Sequence, residues 1–380
     1  MSTLKVNTIQ HSNGTDALTI DSAGNTSFSG VVTGTPLGNR NLIINGDMRI
    51  AQRGTSATGL GNGDGGYHTV DRFRFYEGGT PTCEFTQTQD TDVPTGQGFV
   101  NSLKMQCTTA QTSFSDLTQV RIEQQIEAQN LQHLAYGTSN AKTVTLSFWV
   151  KSNKTGTYIL NIYQADDNRT ISKAYTIDTA DTWEKKTITI EGDIAGTINN
   201  DNGTGWYVIW GLVVSSDYTS GTLQTSWGAY TRSDWMPGQV NLADSTSNYI
   251  NITGVQLEVG DTATPFEHRP YDMELQRCKR YYYTTYPIGV APGTVGAYAC
   301  QAEYAPPYNG NHVATWQHPV SMRATPTMTG YAEDGTSGSF TTGAGNQTAQ
   351  FYQTTSAVIT PFASFNGTYL KLLFTADAEL

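Results

Sequence analysis

The chain has 380 residues, of which 14% are charged and 11% aromatic, and its formal net charge is −11 at pH 7. The aromatic content excludes a largely disordered chain, which would carry many charges and few aromatic residues. The negative charge disfavours binding to nucleic acid, because phosphates repel an acidic surface. We therefore expect two or three folded domains that do not bind nucleic acid.

Residues 1–40 form a lead of short apolar runs, which Asn-Gly and Ala-Gly turn signals separate. Each run is too short to build a core alone, so we predict an extended β arm that pairs with copies of itself or docks on a partner. This lead has no apolar stretch of the length that a signal peptide needs. No window of the chain reaches the roughly 18 apolar residues of a membrane span. We expect synthesis in the cytoplasm without a signal peptide, and no membrane insertion.

Residues 41–270 carry dense strand signals, with Gly- and Asn-rich turns between them. The run VTLSFWV, residues 144–150, alternates between apolar and other side chains, which predicts a strand with one buried face. The opposite face of that strand then carries Thr145, Ser147 and Trp149. The predicted fold class is therefore all-β.

Two segments depart from the strand pattern. Residues 117–134 predict either a helix or an amphipathic strand followed by a short helix. Residues 271–285 predict a short helical linker, because Asp272 lies near its start and basic residues lie near its end. This linker leads into a smaller C-terminal β-domain, residues 286–380, which ends on the apolar run TYLKLLFTA.

Three phrases of the sequence carry a family resemblance. They are NLIINGDMRIAQRGTS with the following TVDRFRF, the long phrase ITGVQLEVGDTATPFEHRPYDMELQRCKRYY, and HPVSMRATPTMTG. In this order and spacing the chain resembles tail fibre and tail-attached structural proteins of tailed bacteriophages. The opening MSTLKVNTIQHSNGTDALTIDSAGNTSFSG resembles the N-terminal lead of structural proteins from phages of marine cyanobacteria.

The resemblance implies an architecture and a set of partners. Residues 41–270 resemble the jelly-roll β-sandwich of carbohydrate-binding modules, with NLIINGD and ITGVQLEVG as the first and last strands, pairing near each other. Residues 1–40 would dock on other tail proteins or form an intertwined stalk, and residues 286–380 would form the distal tip. The resemblance also implies a homotrimer in the tail of the virion that contacts host surface polysaccharide.

Two groups of aromatic residues are candidates for glycan binding, because aromatic faces stack on sugar rings and nearby polar groups bond hydroxyls. The first lies in the predicted loop SWGAYTRSDW and comprises Trp227, Tyr230, Arg232 and Trp235. The second lies in the predicted tip and comprises Tyr304 and Tyr308, which stand beside two prolines. The alternative for the first group is that it belongs to the sandwich core, and the alternative for the second is that it closes the core of the small domain or a subunit interface.

The resemblance to jelly-roll modules implies a structural calcium ion near the first and last strands, a position where hard oxygen ligands would suit it. The candidates are Asp47, Asp64, Asp71 and Glu258, of which Asp47 and Glu258 are the preferred pair. The alternative is that these carboxylates serve as ordinary capping and turn residues. We also predict that Gln256 and Glu258 serve structure, through hydrogen bonds or a cation.

Catalytic motifs are missing from the sequence. It has no GxSxG, HExxH or Walker motif, and the GxGxxG in GLGNGDGGY precedes a strand pattern and not a helix. The four cysteines lack metal-binding spacing, which predicts reduced, buried thiols. We therefore expect a non-enzymatic fibre that attaches to a host glycan. The alternatives are a tail polysaccharide depolymerase, and a head-decorating or connector-associated protein without receptor contact.

Overall fold

The computed structural model describes residues 8–10, 16–20, 22, 26–28, 38–115, 117–297, 301–303, 311–313, 315–352, 354–364 and 369–380. The chain divides into two compact units, residues 1–40 and residues 41–380. The first unit contains a three-stranded antiparallel sheet of β1 (Thr8–Gln10), β2 (Asp16–Ile20) and β3 (Thr26–Phe28). The stalk or docking role of this unit stays a prediction.

Residues 41–270 of the second unit contain two six-stranded antiparallel sheets. The front sheet has the order β12-β9-β15-β7-β6-β4, and the back sheet has the order β14-β11-β10-β13-β8-β5. The strands are β4 (Ser56–Leu60), β5 (Arg74–Gly78), β6 (Glu84–Asp90), β7 (Ser102–Thr109), β8 (Gln119–Glu127), β9 (Val144–Ser152), β10 (Gly156–Gln164), β11 (Arg169–Ile177), β12 (Glu184–Ile190), β13 (Thr204–Val214), β14 (Gly228–Ala229) and β15 (Tyr249–Val259).

Alternation along the strands builds the core between the two sheets. In β9 the apolar residues Val144, Leu146, Phe148 and Val150 are fully buried, and they belong to one large hydrophobic cluster. The same cluster includes four residues of β13 that are also fully buried: Trp206, Val208, Trp210 and Leu212. Burial of such side chains is the main favourable term in folding. The predicted all-β sandwich is confirmed.

Residues 117–134 follow the second of their two predicted alternatives. Strand β8 is paired on both sides, with β13 and with β5, and a 3-10 helix (Ala128–Leu134) follows it directly. Leu131 and Leu134 of that helix are buried in the main core. Tertiary packing has therefore overridden the helical preference of the Glu- and Gln-rich sequence.

The phrase NLIINGD lies beside the last strand of the sandwich, as predicted, but it is not itself a strand. Leu42 N donates to Leu257 O at 2.8 Å, and Val255 N donates to Gly46 O at 2.9 Å. The segment turns because Asn45 has a φ of +60°, and a Cβ at Gly46 would lie 2.1 Å from the Val255 oxygen. The predicted first strand is therefore corrected to an irregular segment that contacts β15.

A buried ion network fastens this start of the sandwich to its end. We call it the sandwich-end network, and it comprises Asn41, Asn45, Glu267, Arg269 and Glu274. The Arg269 guanidinium donates to Asn41 O and to Ile43 O, and it pairs with Glu267 at 3.3 Å and Glu274 at 3.2 Å. The backbone N–H groups of Asn41 and Asn45 donate to the same two carboxylates. Residues that are more than 220 positions apart are thereby held together at one end of the sandwich.

The predicted helical linker is shorter than expected. Helix α1 (Tyr271–Lys279) is followed by a strand, β16 (Tyr282–Thr284), that pairs with the last strand of the chain. All three residues of β16 are buried, so this stretch joins a sheet and does not continue the helix. Of the described residues, none belongs to a helix with the length and hydrophobicity that crossing a membrane requires.

The C-terminal region forms two further sheets. In one, β25 pairs with β16, β17, β20 and β21, and β21 pairs with β22; in the other, β24 pairs with β18, β19 and β23. The strands are β17 (Gln301–Glu303), β18 (Asn311–Val313), β19 (Trp316–Gln317), β20 (Thr327–Tyr331), β21 (Ser339–Thr342), β22 (Gly345–Thr348), β23 (Gln350–Tyr352), β24 (Val358–Ser364) and β25 (Leu370–Asp377).

Buried cations attach the C-terminal sheets to the sandwich. The Arg72 guanidinium pairs with Glu379, donates to Gln125 O at 2.6 Å and lies 3.5 Å from the Tyr281 ring centroid. The Arg53 guanidinium lies over the Tyr282 ring in the same way and also pairs with Glu379 at 3.3 Å. Such a charge is tolerated out of water only while its partners remain in place.

Substituting Arg72 with Met should destabilise the second unit strongly. The Glu379 carboxylate would lose its closest cation and the Tyr281 ring its cationic partner, so we expect a loss of about 3–5 kcal/mol in the free energy of unfolding. The control is Arg74→Met, which removes a half-exposed cation that pairs with Glu123. In this variant Glu123 still pairs with Arg121, which lies 2.8 Å away. The control should cost less than about 1 kcal/mol. Urea unfolding measures both, and equal losses would contradict the role given to Arg72.

Asp71 should make the free energy of unfolding fall as the pH rises, whereas a paired surface carboxylate makes it rise. Burial raises the pKa of this carboxyl from 3.8 to about 6, although Arg53 and hydrogen bonds from Gln52 favour its charged form. The native state therefore binds more protons than the unfolded state between about pH 4 and pH 6, and this contribution to stability is lost as the pH rises through 6.

The variant Asp71→Asn lacks this titration. Relative to the wild type, its free energy of unfolding should rise by roughly 2–3 kcal/mol between pH 4 and pH 7. Urea unfolding at several pH values measures the difference. A difference that does not change with pH would show that Asp71 does not titrate in this window.

Candidate functional site

The predicted aromatic loop does not form one exposed platform. Trp235 is 3% exposed and packs against Tyr218 and Tyr230, in a small hydrophobic cluster on the outer face of the back sheet. That cluster also contains Ile159, Ile209 and Met236. The loop covers the sheet, so the expectation that Trp235 offers its ring to a glycan is corrected: it is a core residue.

The other members of this loop point to different surroundings. Trp227 is half-buried against Tyr136 and Trp206, and its Nε1 donates to Glu191 O at 2.7 Å. Tyr230 is half-buried against Tyr163 and the buried Trp235, whereas Arg232 is exposed. The two predicted tip residues, Tyr304 and Tyr308, lie outside the described residues.

The two preferred calcium ligands engage protein partners. Asp47 pairs with Arg49, and burial raises the pKa of Asp47 although Arg49 lowers it. Glu258 accepts hydrogen bonds from Thr264 N at 2.8 Å, Thr264 Oγ1 at 2.7 Å and Gln256 Nε2 at 2.8 Å. Within the described ranges, no group of three or more His, Cys, Asp or Glu side chains is placed to hold a metal ion.

A cleft lies on the outer face of the front sheet, between two segments that cross it. The first strap, residues 91–101, is tied down where Thr253 Oγ1 donates to Asn101 O at 2.7 Å. The second strap, residues 260–268, is tied down by the bonds of Thr264 to Glu258 and by Glu267 N, which donates to Gln256 Oε1 at 2.8 Å. The space that they leave open has a volume of about 410 Å³.

Three rings form one wall of the cleft where the straps meet. Phe99 of the first strap packs edge-on against Phe266 of the second strap, with 5.1 Å between the ring centroids. The centroid of the His268 ring lies 5.4 Å from that of Phe99 and 4.9 Å from that of Phe266. Phe99 rests on Gly254, at a bulge of β15 where φ is +61°. A Cβ at that position would lie 2.5 Å from the Phe99 ring, so only glycine admits this contact.

The floor of the cleft is a tryptophan at the centre of three strands. Trp149 of β9 faces outward and is half-buried, with Lys185 of β12 directly opposite on one side and Thr253 of β15 on the other. Ser147 lies two residues along the same face, and Gln97 of the first strap is exposed at the rim. An open indole is thus surrounded by hydroxyl, amide and ammonium groups.

This arrangement can bind a ligand but offers no acid–base pair. The described residues that line the cleft include aromatic rings, hydroxyls, an amide, an imidazole and an ammonium group, and no Asp or Glu. Sites that combine aromatic surface with a few well-placed polar groups orient small ligands. Hydrolysis of a glycosidic bond generally needs two carboxyl groups near the bond.

The thiols of the described residues are poorly suited to nucleophilic chemistry. Cys83, Cys107 and Cys278 are free and buried. Burial raises the pKa of Cys83 to about 12 and that of Cys107 to about 11, and it raises that of Cys278 well above its usual range. Only the thiolate is a strong nucleophile, so these side chains act as small apolar residues.

One sequence pattern indicated the floor of this cleft without predicting a binding site there. Alternation in VTLSFWV predicted that Trp149 lies on the face opposite the core, and the structure places it there. A tryptophan on the outer face of a strand is more informative than one within a loop of unknown course. The contributions of Phe99, Phe266 and Lys185 depend on strap positions and strand register, which no local pattern shows.

Comparison with known proteins gives partial likenesses. No family model matches the sequence, and no curated protein matches it. Among solved structures, the enzymatically active domain of tailspike protein 4 of bacteriophage CBA120 is 15% identical, with 53% of this chain and 21% of that chain aligned and a TM-score of 0.30. The chain thus spans about a fifth of that tailspike structure.

Two carbohydrate-binding modules show likenesses of the same level. The family 11 module of a cellulosomal cellulase from Clostridium thermocellum is 12% identical, with 56% of this chain and 98% of that chain aligned and a TM-score of 0.28. A family 4 module is 11% identical, with 57% and 98% aligned and a TM-score of 0.27. At these identities and TM-scores, the likenesses assign neither an activity nor a ligand to this chain.

Replacing Gly254 with alanine should disturb the wall of the cleft. The control is Gly59→Ala, where φ is +70° but no atom lies within 4 Å of the added Cβ, so it measures backbone strain alone. We expect the control to cost about 1 kcal/mol and Gly254→Ala to cost about 1–3 kcal/mol more, because Phe99 must move. Urea unfolding measures both variants. Equal costs would mean that Phe99 does not rest on Gly254.

Proposed function

We propose that this chain is a non-enzymatic structural protein of a phage tail, which attaches the virion to a host surface glycan through the cleft on the front sheet. The proposal rests on the position of the Trp149 side chain. Its indole is open in a cleft whose other lining groups include hydroxyls, an amide and an ammonium group. Stacking on an aromatic face together with polar contacts to hydroxyls is how proteins bind sugar rings.

The rest of the proposal draws on the sequence. The three phrases that resemble tail fibre proteins span the chain from residue 41 to residue 330. A separate unit at residues 1–40 suits docking on other tail proteins or trimer formation. In a trimer, three weak sites would act together, and their combined attachment would be stronger than any one of them.

Catalysis is not part of the proposed function because the described lining of the cleft lacks the carboxyl groups for it. Its described lining has no carboxylate, and the buried carboxylates near it are occupied by protein partners, as Glu258 is by Thr264. A tail depolymerase acting at this cleft would therefore lack both the acid and the base or nucleophile of a glycosidase.

Affinity electrophoresis with a panel of soluble polysaccharides tests the proposal. The purified chain should be retarded by at least one member, and Trp149→Ala should weaken that binding roughly 30-fold, as expected for loss of a central tryptophan worth about 2 kcal/mol. The control is Tyr352→Ala, which removes a tyrosine that is 51% exposed in the C-terminal region. The control should bind as the wild type does.

The same samples separate attachment from hydrolysis. An assay for reducing ends should stay at background with every polysaccharide that binds, and release of reducing ends would favour the depolymerase. Thermal unfolding should show that Trp149→Ala melts within a few degrees of the wild type, because the side chain is half-buried and outside the core. Retention of binding by a folded Trp149→Ala variant would place glycan recognition elsewhere.

A further inference from the structure

We propose that the cleft selects an anionic sugar residue, such as one that bears a carboxylate or a sulfate group. This inference rests on the proposed function, since it specifies the chemistry of the glycan that the cleft would bind. It is carried by Lys185, by the lack of carboxylates in the described lining, and by the partners of the carboxylates nearby.

Lys185 is an available cation at the edge of the tryptophan platform. It lies on the edge strand β12, directly opposite Trp149 in the antiparallel register, and its side chain is exposed. Directly opposite residues have Cβ atoms about 4.5–5.5 Å apart. A sugar ring stacked on the indole would therefore place its substituents within reach of the Lys185 ammonium group.

The ammonium group of Lys185 makes no ion pair among the described residues, in contrast to its neighbours. Lys151, on the same face, pairs with Asp92 at 2.7 Å, and Lys186, next in sequence, pairs with Glu184 at 2.6 Å. An exposed ammonium group is well solvated by itself. When a ligand displaces that water, the charge needs a new partner, and an anionic group is the one that compensates best.

The charge of the cleft is opposite to that of the chain as a whole. The sequence has 33 acidic against 22 basic residues. The described lining of the cleft nevertheless contains one Lys and no Asp or Glu. Two acidic side chains around the cleft have protein partners: Glu258 anchors the second strap, and Asp92 of the first strap binds both Lys151 and the Trp183 indole N–H at 3.0 Å. The charge of this lining therefore favours an anion more than the net charge of the chain does.

Lys185→Gln tests the inference, because it removes the charge and keeps a polar side chain. The control is Lys142→Gln, which removes an equal charge from another exposed lysine outside the cleft lining. The probes are two pairs that differ in charge: polygalacturonate with its methyl ester, and dextran sulfate with dextran. Binding of the full chain is measured by affinity electrophoresis at two salt concentrations.

The wild type should bind at least one charged probe more tightly than its uncharged counterpart. Lys185→Gln should weaken that binding about tenfold, as expected for a hydrogen bond to a charged group. It should leave binding to the uncharged probe unchanged, and Lys142→Gln should behave as the wild type. The identity of the preferred charged probe tells whether a carboxylate or a sulfate group is recognised.

Other outcomes separate this inference from the proposed function. Equal binding of charged and uncharged probes, lost in Trp149→Ala but not in Lys185→Gln, would overturn the anionic selectivity and support glycan attachment through the cleft. Equal weakening by Lys185→Gln and Lys142→Gln would also overturn the selectivity, because it would indicate diffuse attraction. Absence of binding to these probes and to the wider panel would overturn both.

Discussion

A guanidinium group that has been removed from water must find its partners within the protein, and for Arg269 those partners come from the segments that precede the first strand and follow the last strand of the sandwich. Its side chain is 4% exposed and contacts Asn41 O, Ile43 O, Glu267 and Glu274. Breaking such a buried pair costs several kcal/mol. The second strap of the cleft ends one residue before Arg269, so the positions of Phe266 and His268 depend on it. The helix that leads to the C-terminal sheets begins two residues after Arg269, at Tyr271, and it supplies Glu274 to the same network.

The two sheets differ in how their outer faces are covered, and that difference decides where a ligand has access. On the back sheet, Trp235 and Met236 close a second hydrophobic cluster over Ile159 and Ile209. On the front sheet, the two straps bond to β15 and leave Trp149 open between them. The sandwich therefore has one outer face that is partly sealed by apolar packing and one that carries a polar cleft with an aromatic floor.

Local sequence patterns predicted the parts of this structure that depend on local geometry. Alternation in β9 follows from the pleat of a strand, so the core position of Phe148 was accessible to such reasoning. The burial of Trp235 could not be predicted in this way, because whether a loop residue is buried depends on the sheet over which the loop folds. The cleft was missed for the same reason: Phe99, Trp149 and Phe266 lie far apart in sequence and meet only through the register of β15 and the course of the straps.

The closeness of Asn41 and Arg269 has a mechanical consequence. Tension applied between residue 41 and the C-terminal sheets would be carried by the short connection through the sandwich-end network, where Arg269 bonds to Asn41 O and the Asn41 N–H bonds to Glu267. The strands between these two points would lie outside the line of force. A sandwich loaded in this way keeps the spacing of β9, β12 and β15 while it is pulled, so the load would leave the Trp149 floor of the cleft in place and would act on the second strap, to which Glu267 belongs.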